Sequence, residues 1–445
     1  MANTYLTRTS STPTNALKWT YSVWVKIAGI ANDTFLLDFN TDGNNRSNIG
    51  FQESNDRFIV YEKVSGSTSQ LLETTQVFRD NSGWYNLVAS CDRTLATASD
   101  RTKIYVNGSR VTSFSTETQP TQNVTGIINT AVNTLIGKYS QSTLYFNGSL
   151  SHVHFIDGTA YDASYFGSTN SATGQWEINT SPTVTYGNNG FFILKDGNSI
   201  TDESGNANNF TLGGGTLSNT KDNPSNVFCV WNALNPYTGT MENGNLRLNN
   251  GSSYDCSGQG TIGMTSGKYY WEYKMGGTHG EFGVCEQGKS PQTDPQSAAG
   301  NYFIYNNGSN TTGTVYNNVS GTSSSTVTVT AFVSDMICGC AYDADNQALY
   351  FHQNGTYVNS GDPTSGASKT GAIITDLRAR YGGTIVPFMG FGTSSARTNF
   401  DANFGNGVFG DTAISSAGTN ASGLGVFEYD VPTGYTAVCT KGLNL

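Results

Sequence analysis

The sequence predicts an all-β protein in which two β-sandwich (jelly-roll) domains are joined by a partly structured connector, and three observations support this prediction. Apolar and polar residues alternate along many short segments, which is the pattern of half-buried strands. The residues between these segments are mostly Gly, Asn, Ser and Thr, and glycine alone occurs 52 times. A chain of 445 residues is also longer than one domain of ordinary size, so we expect more than one core.

Residues 1–167 are predicted to form the first sandwich. Asn107-Gly108 predicts a tight hairpin turn, and residues 162–167 predict one helical turn capped by Asp162. The segments WYNLVASCD and IYVNGSRV resemble the laminin-G-like members of the concanavalin-A-like lectin superfamily, and this resemblance implies a lectin-type sandwich. The candidate strands are residues 21–27, 34–39, 48–52, 57–61, 83–90, 103–108, 133–137 and 148–155.

Residues 168–228 are predicted to be a connector with short strands. Residues 191–194 are an apolar strand candidate, and residues 201–210 form a loop rich in Asp and Asn. The loop resembles the segment DxSGNxN that opens many concanavalin-A-like domains. We therefore expect the connector to pack on one or both sandwiches.

Residues 229–445 are predicted to form the second sandwich, organised around an antiparallel meander. Residues 336–342 are predicted to be a strand whose side chains alternate between two faces, and residues 347–352 a strand with Leu349 and Phe351 on one face. Residues 343–346 are of the types that favour a turn, and Asn354-Gly355 favours a tight hairpin. Together with GKYYWEY, EFGVC, IVPFMGFG and FDANFG, these segments resemble, in order, the strands of the SPRY (B30.2-like) family. That family is concanavalin-A-like in architecture, so the resemblance implies two related sandwiches and no particular function.

Charge and apolar patterning exclude several classes of partner. The formal net charge is −10 and the isoelectric point is about 4.8, and no cluster of Lys and Arg could follow a phosphate backbone, so we expect no nucleic-acid partner. No apolar run approaches membrane-spanning length, and the N-terminus lacks a basic segment followed by an apolar one. We expect synthesis in a cytoplasm, no membrane insertion, and seven reduced, buried cysteines, because most of them lie in strand-like segments.

The chain lacks the carboxylate pattern of a sandwich glycosidase. Such enzymes place their acid/base carboxyl groups at alternate positions of one strand, so that all of them face the sugar, and no Glu-x-Asp-x-Glu segment occurs. Asp343 and Asp345 are two residues apart but fall in a turn, where Asp usually caps the backbone. Nucleophile-elbow, Walker and zinc-protease motifs are absent as well, so we predict no enzymatic activity.

The histidines give no convincing metal site. His152 and His154 lie on the same face of a predicted strand, which could begin a metal site, but the spacing implies no third ligand. His279 and His352 are single histidines beside glycine-rich turns, and we expect them to be solvated. We predict no site at any of the four.

Two loops are candidates for calcium, since lectin-like sandwiches often bind this ion through loop oxygens. The alternative is that the same Asp and Asn side chains accept hydrogen bonds from their own backbone. We predict that the protein requires no cofactor, and calcium is the one candidate for a bound ion. The candidate ligands are Asp42, Asn44 and Asn45 in one loop, and Asp196, Asp202, Asn206 and Asn208 in the other.

The candidate partner-binding residues are in loops of the second domain. Binding proteins of this architecture use loop aromatics and polar groups at a sandwich edge. By loop position alone, we predict that a glycan or protein partner contacts Tyr254, Asp255, Arg378, Arg380 and Tyr381.

A narrower resemblance covers nearly the whole chain. The segments KWTYSVWVK, HVHFIDGTAYDASYFG, DESGNANNFT, DNPSNVF and PTGYTAVCTKGLNL are similar to those of tailed-phage virion proteins from aquatic phages, which join a laminin-G-like domain to a SPRY-like one. The resemblance implies a non-enzymatic structural protein of the virion, a tail fibre or capsid decoration protein on head or tail.

The resemblance also implies partners. Other virion proteins and host-surface glycans are the expected partners, and a homo-oligomer, most simply a trimer, is expected because weak glycan contacts become useful when several copies bind together. Two alternatives remain open at this point. One is a soluble carbohydrate-binding lectin module without a virion role, and the other is a polysaccharide depolymerase.

Overall fold

The structure, a computed structural model, divides the chain into two compact units, Met1–Leu217 and Ser218–Leu445. The predicted connector is therefore split, with residues 168–217 in the first unit and residues 218–228 in the second. The residues that the structure describes are 3–29, 34–52, 55–195, 199–236, 238–249, 256–287, 295–296, 299–306, 308, 310–318, 323–377, 384–391 and 399–444.

The first unit is built from strands, with two short 3₁₀ segments at Ala98–Asp100 and Ala163–Tyr165. Its strands are β1 Tyr5–Thr9, β2 Lys18–Ile27, β3 Thr34–Asp42, β4 Asn45–Gln52, β5 Arg57–Val64, β6 Ser67–Val77, β7 Tyr85–Asp92, β8 Thr102–Val106, β9 Ser109–Arg110, β10 Phe114–Thr118, β11 Asn133–Ile136, β12 Gly148–Asp157, β13 Gly167–Thr169, β14 Trp176–Ile178, β15 Phe191–Ile193 and β16 Thr211–Gly214.

Two antiparallel sheets enclose the core of the first unit. One has the strand order β10-β6-β5-β4-β3-β11-β1-β16, and the other has the order β15-β12-β2-β7-β8-β9. Alternate side chains of both sheets meet between them, as in Phe39 of β3 and Phe155 of β12, whose ring centroids are 5.2 Å apart. This is the two-layer packing of a β-sandwich.

The residues after the predicted first domain complete its two sheets. β15 pairs with β12, and β16 pairs with β1. The buried carboxylate of Asp157 joins these segments, because it accepts hydrogen bonds from the backbone N–H of Thr14 at 2.6 Å and of Asn189 at 3.1 Å. Residues 191–214 are thus part of the first sandwich.

The second unit is also built from strands, with 3₁₀ segments at Val358–Ser360, Pro363–Ser368 and Gly442–Asn444. Its strands are β17 Thr240–Glu242, β18 Arg247–Asn249, β19 Cys256–Gln259, β20 Lys268–Met275, β21 Gly280–Glu286, β22 Asn301–Asn306, β23 Thr312–Asn317, β24 Ser324–Thr328, β25 Ile337–Asp343, β26 Ala348–Gln353, β27 Thr356–Tyr357, β28 Ile385–Phe391, β29 Asn399–Asn403, β30 Val408–Phe409, β31 Thr412–Ala413 and β32 Thr436–Ala437.

The second unit has the same two-layer plan. One sheet has the order β17-β18-β29-β20-β25-β26-β27, with β32 parallel to β20, and the other has the order β19-β28-β21-β22-β23-β24. Between them, the hydroxyl of Tyr273 on β20 donates a hydrogen bond to the carbonyl of Phe388 on β28 at 2.9 Å. A buried apolar core surrounds this contact.

The predicted meander is confirmed as β25, β26 and β27, which pair in antiparallel fashion. Asn354 and Gly355 form the turn with φ angles of 46° and 82°, the left-handed region that favours Asn and Gly. The Oδ1 atom of Asn354 also accepts a hydrogen bond from the backbone N–H of Ile337 at 2.9 Å. The turn is therefore tied to the beginning of β25.

The predicted all-β class is confirmed, and so is the Asp162 cap, which accepts a hydrogen bond from the backbone N–H of Ser164 at 2.9 Å. All seven cysteines are free and buried, as expected. The pattern missed β6, because its sequence STSQLLETTQV is mostly polar. Among the described residues, no helix has the length and apolar character needed to cross a membrane.

Candidate functional site

The predicted partner-binding residues lie outside the part of the chain that the structure describes. This is true of all five, which were Tyr254, Asp255, Arg378, Arg380 and Tyr381. The site described below was found from the geometry of the second unit instead.

The first calcium loop uses its side-chain oxygens on its own turn. The carboxylate of Asp42 accepts hydrogen bonds from the backbone N–H of Asn44 at 2.7 Å and of Asn45 at 3.0 Å. These bonds hold the pKa of Asp42 below its usual value. The side-chain oxygen of Asn45 accepts the backbone N–H of Ser65 at 2.9 Å.

The second loop is organised around Asp202, and Asp196 lies outside the described residues. The Asp202 carboxylate accepts the backbone N–H groups of Phe192 at 2.8 Å and Asn208 at 2.9 Å. Asn206 donates its amide to the carbonyl of Gly187 at 2.6 Å. Loop closure is thus the observed role of these side chains.

In both loops the described side-chain oxygens are engaged by the protein itself. A calcium site presents six to eight oxygens to one point, whereas the oxygens of Asp42, Asn45 and Asp202 already face N–H donors. Within the described residues, no group of three or more His, Cys, Asp or Glu side chains is placed to hold a metal ion. The geometry favours the alternative in which Asx side chains satisfy the backbone.

Two other residue pairs singled out in the sequence have structural partners. Asp343 is buried and accepts the backbone N–H of Asn346 at 2.9 Å, so it caps its turn as expected. His152 and His154 are both buried, and the register of β12 shifts between Ser151 and His154. Their Nδ1 atoms contact different hydroxyls, at Ser151 for His152 (2.8 Å) and at Tyr186 for His154 (2.9 Å).

A buried glutamate anchors the outer side of the second unit. Glu272 on β20 is inaccessible to solvent, and its two oxygens accept the backbone N–H groups of Glu428 at 2.9 Å and Tyr429 at 2.8 Å. Asn403 and Tyr270 donate to it as well. Burial raises the pKa of Glu272 to about 7, against these four hydrogen bonds, which lower it.

A chain of hydrogen bonds, each donating towards the next residue, runs from His352 through Tyr270 to Glu272. The backbone N–H of Gly355 donates to Nδ1 of His352 at 3.2 Å, so the ring proton of a neutral imidazole is on Nε2. Nε2 then donates to the Tyr270 hydroxyl at 2.6 Å, and that hydroxyl donates to Glu272 at 3.0 Å. Burial lowers the pKa of His352 to about 3, which keeps the imidazole neutral.

His352 is the floor of an open depression of about 390 Å³. Tyr357 and Tyr429 stand beside it, with ring centroids 5.3 Å and 5.5 Å from the imidazole and interplanar angles of 74° and 70°. This depression is within the size range of small-molecule sites. Its described lining residues are His352, Gly355, Tyr357, Pro363, Thr419, Tyr429, Asp430, Val431, Pro432 and Thr433.

Two of the lining residues carry a polar atom with unused hydrogen-bonding capacity. The hydroxyl of Tyr357 is buried and has no hydrogen-bond partner among the described residues. Asp430 is exposed, and its Oδ1 accepts the backbone N–H and the hydroxyl of Thr419 at 2.6 Å and 2.8 Å. These bonds lower the pKa of Asp430, and its Oδ2 accepts no hydrogen bond from the described residues.

The expectation that His352 is solvated is wrong, since the side chain is 1% exposed. Gly339 lies directly opposite His352 in the β25–β26 register, and a Cβ there would clash with the imidazole. Gly339, the glycine of the segment ICGCA, therefore leaves the room that the imidazole of His352 occupies. A glycine opposite a histidine in a predicted meander was the sequence signal that could have located it.

The comparisons with known proteins support the fold of the first unit. Residues 2–164 match the family model of the concanavalin A-like lectin/glucanases superfamily. The first domain therefore has a laminin-G-like, concanavalin-A-like fold, which is compatible with carbohydrate binding. No curated protein matches the chain.

Several solved structures resemble parts of the chain at low identity. The SPRY domain of human HERC1 is 19% identical, with a TM-score of 0.30, and the match covers 39% of this chain and 96% of that one. The heptameric SAP-like pentraxin from Limulus polyphemus is 16% identical, with a TM-score of 0.27, and the match covers 36% of this chain and 72% of that one. Domains LG4-5 of the mouse laminin alpha1 chain are 8% identical, with a TM-score of 0.30, and the match covers 90% of this chain and 84% of that one.

Proposed function

We propose that this chain is a non-enzymatic structural protein of a tailed-phage virion, a fibre or decoration protein on head or tail that adheres to host-surface glycans or to other virion proteins. The observation that carries the binding role is the lectin-type sandwich of residues 2–164. The virion role is supported by the sequence resemblance to phage virion proteins. In this proposal the protein is made in the host cytoplasm, is carried on the particle and requires no cofactor.

The positions of the carboxyl groups support binding over hydrolysis. Glycoside hydrolysis needs two carboxyl groups that flank one bond. Glu272 and Asp343 instead accept backbone N–H groups in the interior of the second unit. Among the described residues that line the depression, Asp430 is the one carboxylate.

Mass spectrometry of purified particles tests the virion role. We expect the chain at a constant copy number per particle through successive purification steps. Loss of the chain from particles on purification would favour the soluble lectin, which is the first alternative. Adsorption of the purified chain to host capsule or lipopolysaccharide tests glycan adhesion in either case, and adsorption in the presence of a chelator tests the absence of a cofactor.

Incubation with host capsule or lipopolysaccharide tests the second alternative, a depolymerase. We expect no released oligosaccharide over hours at micromolar protein. Release of oligosaccharide would overturn the non-enzymatic proposal.

The proposed assembly is a closed homo-oligomer, most simply a trimer, since several weak glycan contacts per assembly give useful avidity. Light scattering of the purified protein should then give three chain masses. A single chain mass at micromolar concentration, together with single isolated copies on the particle, would contradict the trimer.

A further inference from the structure

The edge strand β24 of the second unit carries backbone groups that no described residue uses. It pairs with β23 over its whole length without a register shift. The odd-numbered positions of this ladder bond to the neighbouring strand, and just beyond β24 the backbone N–H of Val329 donates to the carbonyl of Thr311 at 2.9 Å. Because an antiparallel ladder alternates, Ser324, Thr326 and Thr328 direct their N–H and C=O groups away from the sheet.

The next position of the series shows what a covered edge looks like. The backbone N–H of Thr330 donates to Oε1 of Gln353 at 2.7 Å, and its carbonyl accepts from Nε2 of the same amide at 2.7 Å. The Gln353 side chain thus takes the place of a neighbouring strand at this end. Among the described residues, none does so at Ser324, Thr326 or Thr328, whose side chains are exposed.

The edge is also rigid. Val327 points inward and packs against the core of the second unit, and a strand with one face in the core has a fixed register. A strand that is already ordered loses little conformational entropy when another strand is added to it.

The edge lacks the features that usually prevent strand addition, which are charged side chains, proline and bulges. The edge strand β10 of the first unit has two of them, since its register shifts between Phe114 and Thr116 and it contains Glu117. β24 has the same length as β10, but its sequence SSTVT has no charge and no proline, and its pairing has no bulge. This difference indicates that the β24 edge is a contact surface.

The distribution of charge favours a second copy of this chain as the partner. The formal net charge is −10, so two copies repel each other over most of their surfaces. Residues 295–334 contain no Asp, Glu, Lys, Arg or His, and they include β22, β23 and β24. Two copies therefore approach with the least repulsion along this side of the sheet.

The edge is complementary to itself. If two β24 strands run antiparallel about a two-fold axis at Thr326, this residue faces its own counterpart, and Ser324 faces Thr328. All of these residues direct their backbone groups outward, so each opposed pair exchanges two N–H···O=C bonds. The opposed side chains are Thr with Thr and Thr with Ser, which are favourable neighbours across strands.

We propose that two copies of this chain pair edge to edge through β24, in an antiparallel contact that joins their six-stranded sheets. The contact is closed, because it uses the β24 edge of both copies. It goes beyond the proposed function, since a two-fold contact cannot close a ring of three and is therefore separate from the trimer.

Sedimentation equilibrium of the full chain tests the pairing. A contact of one short strand buries less than the ~1,200 Å² of a standard interface, so we expect a dissociation constant on the order of 100 µM. The average mass should then at least double between about 5 µM and about 1 mM protein. Over the same range, hydrogen exchange should slow in a peptide that contains β24 and stay constant in one that contains β10.

Two variants at the two-fold axis test the register. Thr326→Lys places two like charges opposite each other and should weaken pairing about tenfold or more. It also makes the chain less negative, so general repulsion between copies predicts the opposite result. Thr326→Val keeps the branched side chain without a charge, and this matched control should pair as the wild type does.

A mixture of complementary variants makes the test independent of folding defects. Thr326→Glu should fail to pair alone, as Thr326→Lys does, and an equimolar mixture of the two should regain the wild-type rise in mass, because opposite charges then face each other. A mixture that stays at the mass of its components would reject the two-fold register.

The outcomes separate this contact from the trimer. A wild-type mass that stays constant from about 5 µM to about 1 mM overturns the pairing, and if that mass is three chains the trimer stands. A mass that rises from one chain to two confirms the pairing and contradicts the trimer. An equal rise in wild type and Thr326→Lys would show that association uses another surface and would also overturn the pairing.

Discussion

Each unit contains a buried carboxyl group and a buried imidazole, but only in the second unit does a hydrogen-bonded chain of described residues connect the two. In the first unit, burial raises the pKa of Asp38 to about 7 and lowers the pKa of His154 well below its usual value. In the second unit, Glu272 and His352 are shifted in the same directions, to about 7 and about 3. Among the described residues, the second unit joins its two groups through a hydroxyl, that of Tyr270, and the first unit does not.

The difference is whether the shifted groups lead to an open surface. Asp38 is on β3 and accepts from the backbone N–H of Ser140 at 3.2 Å, whereas His154 is on β12 of the other sheet and contacts Tyr186. In the second unit the chain from Glu272 ends at His352, the floor of the depression. A shifted pKa therefore indicates a site only where the surrounding groups converge on an open surface.

The largest expected effect is the loss of the buried ion pair of the first unit. Arg93 and Glu62 are 2% and 0% exposed, with 2.7 Å between nitrogen and oxygen. Arg93→Met should lower the free energy of unfolding by about 3–5 kcal/mol, because it leaves a buried carboxylate without its cation. Peptide-resolved hydrogen exchange should show the loss in the first unit and leave the second unchanged.

Arg79→Met is the control for this prediction, because the Arg79 and Asp56 side chains are 62% and 23% exposed, against 2% and 0% for the buried pair. It should cost about 1 kcal/mol or less. Equal losses in the two variants would contradict the view that burial decides the value of the pair.

The next effect concerns pH. Glu272 has its folded pKa raised from 4.5 to about 7, so its contribution to stability is lost as pH rises through 7. His352 has its folded pKa lowered from 6.5 to about 3, so its contribution is lost as pH falls below 6.5. The two slopes oppose each other between pH 4.5 and 6.5, and the second unit should be nearly indifferent to pH there.

Glu272→Gln should remove this compensation. Only the imidazole then titrates, so the variant should lose about 1.4 kcal/mol per pH unit as pH falls from 6.5 towards 4.5. Hydrogen exchange of peptides from β25 and β26 measures the slope, whatever the variant's absolute stability. Asp38→Asn should produce the same slope in the first unit only. A flat profile for Glu272→Gln would refute the view that the titrations of Glu272 and His352 offset each other.

A smaller effect is expected at the two Asn-Gly hairpins. Gly108 and Gly355 have φ angles of 79° and 82°, and a Cβ would meet the ring of Trp176 at one and of Tyr429 at the other. Alanine at either position should cost about 1–3 kcal/mol by thermal melting. A loss of less than about 0.5 kcal/mol at both positions would contradict the clash expected at these turns.

Reducing agent should have no effect on either unit. All seven cysteines are free and buried, and only Cys91 belongs to the first unit. Dithiothreitol should leave both melting transitions unchanged within error. A clear fall in melting temperature would reveal a disulfide.

The candidate site shows where sequence-based reasoning ended. Asp42 and Asp202 were chosen because loop carboxylates bind calcium, but a carboxylate in a tight turn also meets the nearest backbone N–H. His352 was expected to be solvated because it adjoins a glycine-rich turn. Its burial depends on Gly339 in the neighbouring strand and on the segment around Tyr429, which the sequence does not place beside it.

What the sequence determined by itself is local. Side chains alternate along a strand and Asn-Gly adopts left-handed angles, so the meander from β25 to β27 and its turn could be read directly from residues 336–357. The tertiary structure alone decided which segments meet, because strand pairing joins residues far apart in the chain. The segment of Asp430 lies beside His352 because the Glu272 side chain on β20 holds the backbone of Glu428 and Tyr429, and no local pattern records this contact.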